Sequence, residues 1–280
     1  MVTRRAARTV AFASLLAAAC AEEFTPESYL DDLRVLALVA EPLEVGPGDG
    51  LAVSATAHAL PDDPLAEEAW SFCPVTLGAS SGFACLAPVC EIAVGAGPSA
   101  SLVPSDLAAA CLAALGGLPD GAALPEVVES VVRYRARSAS GQEREAIQRV
   151  PLWTAGPPPD PNLPPVLLGV EIDGLPAAEG ALAATVPPGG AVPVLVRVDP
   201  ASVQSYVDGS GRTLSESIVV FFYATAGRFD AERATGPDAL VRFEARALEP
   251  GQVEAEVWAV ARDLRGGQAV AGPFRIAIGP

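Results

Sequence analysis

Along several short stretches of this chain apolar and polar residues alternate, and that two-residue period predicts half-buried β-strands. In the clearest run, Val192, Val194, Val196 and Val198 share one face. Val241, Phe243 and Ala245 oppose Arg242, Glu244 and Arg246. Val253, Ala255, Val257 and Ala259 oppose Glu254, Glu256, Trp258 and Val260, and Phe274, Ile276 and Ile278 make a last strand. Nearer the start, Leu51, Val53, Ala55, Ala57 and Ala59 alternate with Ala52, Ser54, Thr56, His58 and Leu60. That sets His58 beside Ser54 and Thr56 on a polar face expected to meet solvent. Residues 33–39 and 41–45 read as strand, Trp70 to Cys73 opens another, and residues 131–137 and 146–152 close the first half. A single segment, from Ser105 to Leu115, reads as a short helix, with Ser105 as N-cap and Gly116 and Gly117 as its stop.

The punctuation between these stretches divides the chain. Residues 156–165 hold six prolines in G-P-P-P-D-P-N-L-P-P, which favours an extended, semi-rigid linker. The expected organisation is a signal peptide over 1–19 and a lipidated tether over 20–32. A β-sandwich over 33–155, the linker over 156–165 and a second β-sandwich over 166–280 follow. A faint internal repeat supports two copies of one fold. V-R-Y-R-A-R-S-A-S-G-Q from Val132 and V-W-A-V-A-R-D-L-R-G-G-Q from Val257 both run strand, A-R, glycine turn, strand. The fold class expected is therefore all-β, with two sandwiches in tandem and a cysteine-rich loop plus one short helix in the first.

The first twenty residues change the picture most. Arg4, Arg5 and Arg8 precede the apolar run from Val10 to Leu16, and three alanines lead into Cys20. This is a secretory signal, too short to span a bilayer. It resembles a bacterial lipobox, with Leu16 one place further from the cysteine than usual. The resemblance implies that Cys20 takes lipid, in acyl chains such as palmitate. Ala21, in place of an aspartate, points to the outer membrane of the cell envelope, facing the periplasm or the surface.

Of the five cysteines, four remain beyond Cys20, all within Cys73 to Cys111. In an exported chain such a cluster reads as two disulfides, and nearest-neighbour pairing gives Cys73–Cys85 and Cys90–Cys111 out of three possible pairings. The chain carries 18 arginines, no lysine and 34 acidic residues, for a formal net charge of −16. Three of those arginines, and none of the acids, lie ahead of Cys20. So acidic a surface argues against nucleic acid as a partner, and against adsorption to anionic lipid by a basic patch.

The second half resembles bacterial immunoglobulin-like modules of the polycystic-kidney-disease type. The resemblance rests on F-F-Y-A-T-A-G-R-F from Phe221 and on the stretch from Gly251 to Gly267. The whole chain is similar to lipoproteins of myxobacteria. In those, a lipobox, a strand like residues 33–45, a Trp-x-x-Cys-Pro segment like Trp70 to Pro74 and a later A-T-A-G-R-F occur in this order. These resemblances imply immunoglobulin-like sandwiches and bring no activity with them.

Little in the chain points to catalysis. Gly78-Ala79-Ser80-Ser81-Gly82 matches the nucleophile-elbow pattern, but the sole histidine, His58, stands upstream of it, and the elbow needs a base downstream. One histidine also removes most zinc and iron ligand sets. Calcium needs only oxygen, and Asp160, Asn162, Glu171, Asp173, Asp199 and Asp263 are the candidates near a domain junction. Phe221, Phe222 and Tyr223 are a candidate sugar platform, weighed against ordinary core packing. The expected function is a non-enzymatic envelope lipoprotein. It would act as a structural or recognition module held to the membrane by its lipid, without cofactor or metal, with a protein or glycan as partner. A carbohydrate- or calcium-binding accessory protein is the alternative.

Overall fold

The computed structural model describes residues 26–117, 123–156, 160–207, 210–245 and 253–279. The chain is all-β, in two immunoglobulin-like sandwiches.

The first contains β1 (Arg34–Glu41), β2 (Leu51–His58), β3 (Leu65–Cys73), β4 (Ile92–Ala96), β5 (Ser99–Leu102), helix α1 (Pro104–Ala114), β6 (Val127–Ser138) and β7 (Glu143–Trp153). Its sheets run β1-β2-β5 and β4-β3-β6-β7. Between them Trp70, Phe72 and Tyr134 are fully buried, with the Trp70 and Tyr134 rings 4.7 Å apart. The Tyr134 hydroxyl donates to Glu68 Oε1, and burial together with that carboxylate holds the phenol protonated far above its usual range. Val45 donates to the Pro151 carbonyl and accepts from Trp153, so the turn after β1 closes onto β7.

The second contains β8 (Leu167–Ile172), β9 (Leu175–Pro176), β10 (Leu182–Val186), β11 (Ala191–Val198), β12 (Ser205–Val207), β13 (Thr213–Ser215), β14 (Val219–Ala224), β15 (Arg228–Phe229), β16 (Arg233–Thr235), β17 (Asp238–Glu244), β18 (Glu254–Arg262) and β19 (Gln268–Ile278). Its sheets run β10-β19-β18-β14-β16 and β15-β17-β11-β8-β9, and β12 pairs with β13 apart from them. The alternating residues expected inward are buried along β11, Val192, Val194, Val196 and Val198, and along β18, Ala255, Val257 and Ala259, whereas Val253 precedes β18 and is exposed, a correction to the expected face. Phe222, Phe229 and Phe243 stack through the core, with ring centroids 5.4 and 5.7 Å apart. Gly227 makes that stack possible. It holds φ +71°, and a Cβ there would lie 2.6 Å from the Glu244 carbonyl and the Phe243 ring. The A-T-A-G-R-F motif is thus a turn built around the core.

Two further local expectations are corrected. Trp70 to Cys73 ends a strand instead of opening one, because β3 already pairs with β6 from Leu65. The helix starts a residue early: Pro104 takes the first position after Val103, and Ser105 makes no cap. Its hydroxyl accepts from the Gly48 amide instead.

Candidate functional site at the domain junction

β1 explains why the two sandwiches meet. It runs antiparallel to β2, with Val35 opposite Ala57 and Ala37 opposite Thr56, so Leu36 is an extra residue, a bulge. Beyond the bulge Leu38 and Ala40 face the first core, while Leu36 and Ala37 turn outward. A strand with apolar residues on both faces needs cover on both. That cover is β18 of the other sandwich. Leu36 and Ala37 join Leu30, Trp258 and Val260 in one buried cluster, with Tyr223 and Val270 at its margin. Arg262 donates to the Leu36 carbonyl at 3.1 Å while its guanidinium lies 4.8 Å over the Phe221 ring.

The segment just ahead of β1 crosses the seam. Tyr29 bridges Ala224 of β14 in parallel, Leu30 donates to the Ala224 carbonyl and Ala224 donates to Ser28. We call residues 28–30 the strap. Polar contacts seal the opposite rim. Gln148 donates to the Gly266 carbonyl at 3.0 Å and accepts from Gln268 at 3.3 Å, and Arg265, held within its own sandwich by the buried Glu216 carboxylate, lies 4.0 Å from Glu44 of the first. The linker is pinned as well: Gln204 accepts from Leu163, Ser202 accepts from Val166, and Asn162 is 4% exposed.

The candidate chemistry of the sequence falls around this seam or apart from it. His58 does share the outer face of β2 with Ser54 and Thr56, but that face is covered at its end. The residue is 7% exposed, its ring 5.4 Å edge-on from Trp258, and its Nε2 is buried without a partner. The solvent-facing expectation for His58 is corrected on that ground. Burial first, and then the Arg34 charge, hold the imidazole below its ordinary 6.5. Ser80 sits in a one-turn helix at an exposed loop, and Ser81 there donates back to the Gly78 carbonyl. No hydrogen bond joins Ser80 to His58, so the elbow pattern assembles no nucleophile and base.

The calcium candidates do not converge either. Asn162 donates to Asp263 at 3.1 Å, while Asp263 also accepts from the Arg265 and Gly267 amides. Asp199 caps a short turn through the Ala201 amide, and Glu171 pairs with Arg197 at 2.8 Å. Among the described residues no three His, Cys, Asp or Glu groups come together as a metal site. Of the aromatic run, Phe222 is fully buried in the core. Phe221 and Tyr223 face the seam, where burial raises the Tyr223 phenol.

Bridges join Cys73 to Cys85 and Cys90 to Cys111, with Cα atoms 5.6 and 4.9 Å apart. The first closes the loop that carries Ser80, and the second ties α1 to the turn before β4. Cys20 and the leader lie outside the described residues. No described helix is long and apolar enough to cross a membrane.

No protein-family model matches the chain, and no curated protein matches it. Solved structures with a similar build include the fibronectin(III)-like modules of Clostridium thermocellum CbhA, at 11% identity and TM-score 0.24, covering 88% of this chain and 92% of that one. The D00-D0 domain of Intimin matches at 12% identity and TM-score 0.25, over 86% of this chain and all of that one. The N-terminal Ig1-2 module of the Drosophila receptor tyrosine phosphatase DLAR matches at 10% and 0.28, over 89% and 100%. These likenesses are distant, and the sandwich assignment stands on the strand orders given above.

Proposed function

We propose that this chain is a non-enzymatic lipoprotein of the outer membrane, displaying two locked immunoglobulin-like sandwiches as one recognition or spacer unit. The observation that carries the reading is the strap. Residues 28–30 hydrogen-bond to β14 of the second sandwich and continue directly into β1 of the first. A lipid at Cys20 would therefore hold both sandwiches by their seam. The chain from Cys20 to Pro26 reaches at most about 20 Å when extended, so the seam would stay near the membrane. The paired cysteines suit an oxidising compartment beyond the cytoplasm.

Membrane partition tests this. Cys20→Ser should release the protein from membranes or leave an uncleaved precursor, and unchanged detergent-phase partition with normal processing refutes the anchor. A carbohydrate-binding accessory role is the second reading. A cavity of about 460 Å³ beside the strap favours it, bounded by Phe221, Tyr223, Glu232 and Arg233. Glycan arrays with and without calcium separate it from the first.

A further inference from the structure

The insertion between β3 and β6 differs from the rest of the chain in its charge. From Cys73 to Ser130 it carries no arginine, lysine or histidine, and every charge in it is acidic. From Pro74 to Cys90 it carries no charge at all. Within that uncharged stretch the backbone doubles back. Thr76 and Cys85 face each other in an antiparallel bridge, Leu77 donates to the Ala84 carbonyl at 2.8 Å and Leu86 donates to the Val75 carbonyl at 2.9 Å. Cys85 turns inward to its bridge with Cys73, so by the two-residue period Leu77 and Leu86 stand on the opposite, outer face. Each is about half exposed, and Val89 in the next turn adds a third such side chain.

The loop is held too firmly to fold these side chains away. Two bridges close it, the Phe83 carbonyl accepts from Arg133, and the Arg149 guanidinium lies 5.6 Å from the centre of the Phe83 ring. Single exposed leucines are ordinary, whereas aliphatic side chains grouped on a fixed loop mark a contact surface. Fixing them beforehand lowers the entropy that a partner loses on binding. The position suits contact as well. β6 is 12 residues long, about 40 Å. One end turns back at Gln142, which accepts from the Leu33 amide next to the strap. The other end lies beside the loop, where Thr76 donates to the Glu129 carbonyl. The loop therefore stands at the end of the first sandwich opposite the strap.

Charge decides what kind of surface fits. Arg133 and Arg149, which reach the loop from β6 and β7, are matched by Glu145 and Glu129 at 2.8 and 2.6 Å. Asp106, in the first turn of α1, and Glu126, just ahead of β6, have no ion pair among the described residues. What remains around the aliphatic face is acidic. A second copy of this chain, with its formal charge of −16, is repelled from such a rim, and so is an anionic lipid surface. We infer that the loop from Thr76 to Val89 is a docking knob for a basic protein partner, which seats Leu77, Leu86 and Val89 in an apolar socket ringed by arginine or lysine. Apolar anchors supply the affinity in such a contact, and the charged rim supplies selectivity and steering. The inference rests on the recognition reading and not on the lipid anchor, so Cys20→Ser protein should bind equally well.

The probe is an amphipathic helical peptide of leucine and arginine, titrated into the full chain by calorimetry. It should bind saturably. A serine–arginine peptide of the same charge, and a leucine–glutamine peptide without charge, should each bind about tenfold more weakly or worse. Leu77→Ser combined with Leu86→Ser should weaken the leucine–arginine peptide by about tenfold or more. Both side chains are exposed, so an unchanged melting temperature and both bridges in peptide mapping should show the fold intact. Leu168→Ser combined with Leu240→Ser, equally bare on the second sandwich, should change nothing. The inference is overturned if the leucine–arginine peptide fails to saturate at millimolar concentration, or if the Leu77 and Leu86 pair binds it normally. Equal binding of the serine–arginine peptide would reduce the contact to net charge, and equal binding of the leucine–glutamine peptide would remove the basic rim. Self-association abolished by the same pair would assign the knob to a second copy, and binding to phosphatidylcholine vesicles abolished by it would assign the knob to lipid. Any of these four results overturns the basic partner. None of them touches the glycan reading, which uses the cavity beside the strap.

Discussion

The second sandwich fills its core with Val, Ile and Phe from strands that alternate cleanly, and it contains no cysteine. The first packs Trp70, Phe72 and Tyr134 between sheets of three and four strands, interrupts β3 and β6 with a long insertion, and closes that insertion with two bridges. It also leans on its neighbour, since the bulge at Leu36 leaves apolar side chains outside its own core. The difference teaches where each half draws its stability. The second half needs little beyond burial, whereas the first draws on crosslinks and on β18.

Removing the neighbour's contribution should have the largest effect. Trp258→Ala empties the centre of the seam and leaves the second core, on the other face of β18, intact. We expect a loss of about 3–5 kcal/mol, the range for truncating a buried aromatic. Calorimetry should then resolve two transitions in place of one. A fragment spanning 166–280 should fold by itself yet bind a hydrophobic dye through its uncovered Trp258, Val260 and Tyr223. A single unsplit transition in Trp258→Ala would show that Trp258 does not carry the coupling between the halves.

Crosslinks should matter next, and only on one side. The bridges span 12 and 21 residues in sequence. In the chain-entropy model each contributes about 3 kcal/mol. Reduction, or Cys90→Ser with Cys111→Ser, should therefore lower the stability of the first sandwich and leave the second where it was. Peptide mapping without reductant should recover Cys73 with Cys85 and Cys90 with Cys111. Any other pairing would break the comparison at its base.

Much of this architecture was legible because alternation reports one-sided burial directly. The runs from Val192 and Ala255 assigned inward faces that the core fills, while Val253, just ahead of β18, lies exposed. The seam was written less plainly. Residues 35–39 are apolar without alternation, which is how a strand covered on both faces reads, and Trp258 and Val260 stand on the same face as Glu254 and Glu256. Either oddity signals a covered outer face. Neither names the cover, because pairing between segments more than two hundred residues apart leaves no local periodicity. His58 illustrates the limit: its face follows from the period of two, but its burial depends on the other sandwich. The helix start was missed for a local reason, since Pro104 suits the first helical turn and outweighed the capping preference of Ser105.

The smallest effect concerns protons at the seam, and its sign separates two neighbouring groups. His58 has a folded pKa below its ordinary 6.5 because burial and Arg34 disfavour the imidazolium. Below 6.5 the unfolded chain takes up a proton that the native chain resists, so stability falls with pH until the folded value is passed. Glu256 acts in the opposite sense. Its folded pKa stands above the ordinary 4.5, so the native chain holds that proton more tightly, and stability rises as pH drops through the raised value. His58 borders a cavity open to water, so its contribution should stay well below the ~1.4 kcal/mol of one full unit. Melting temperature measured between about pH 5 and 7 should decline toward acid in the native chain, because histidine is the side chain that ordinarily titrates there. Glu256→Gln removes the compensating arm, so its decline should be steeper at the acid end, and its neutral-pH stability higher for want of the repulsion from Glu254. His58→Leu, which fills the same space beside Trp258 without an orphaned nitrogen, should flatten the profile. A slope that persists in His58→Leu would mean that the acid sensitivity belongs to the first sandwich itself, and the seam would lose its role as the place where the two halves sense pH together.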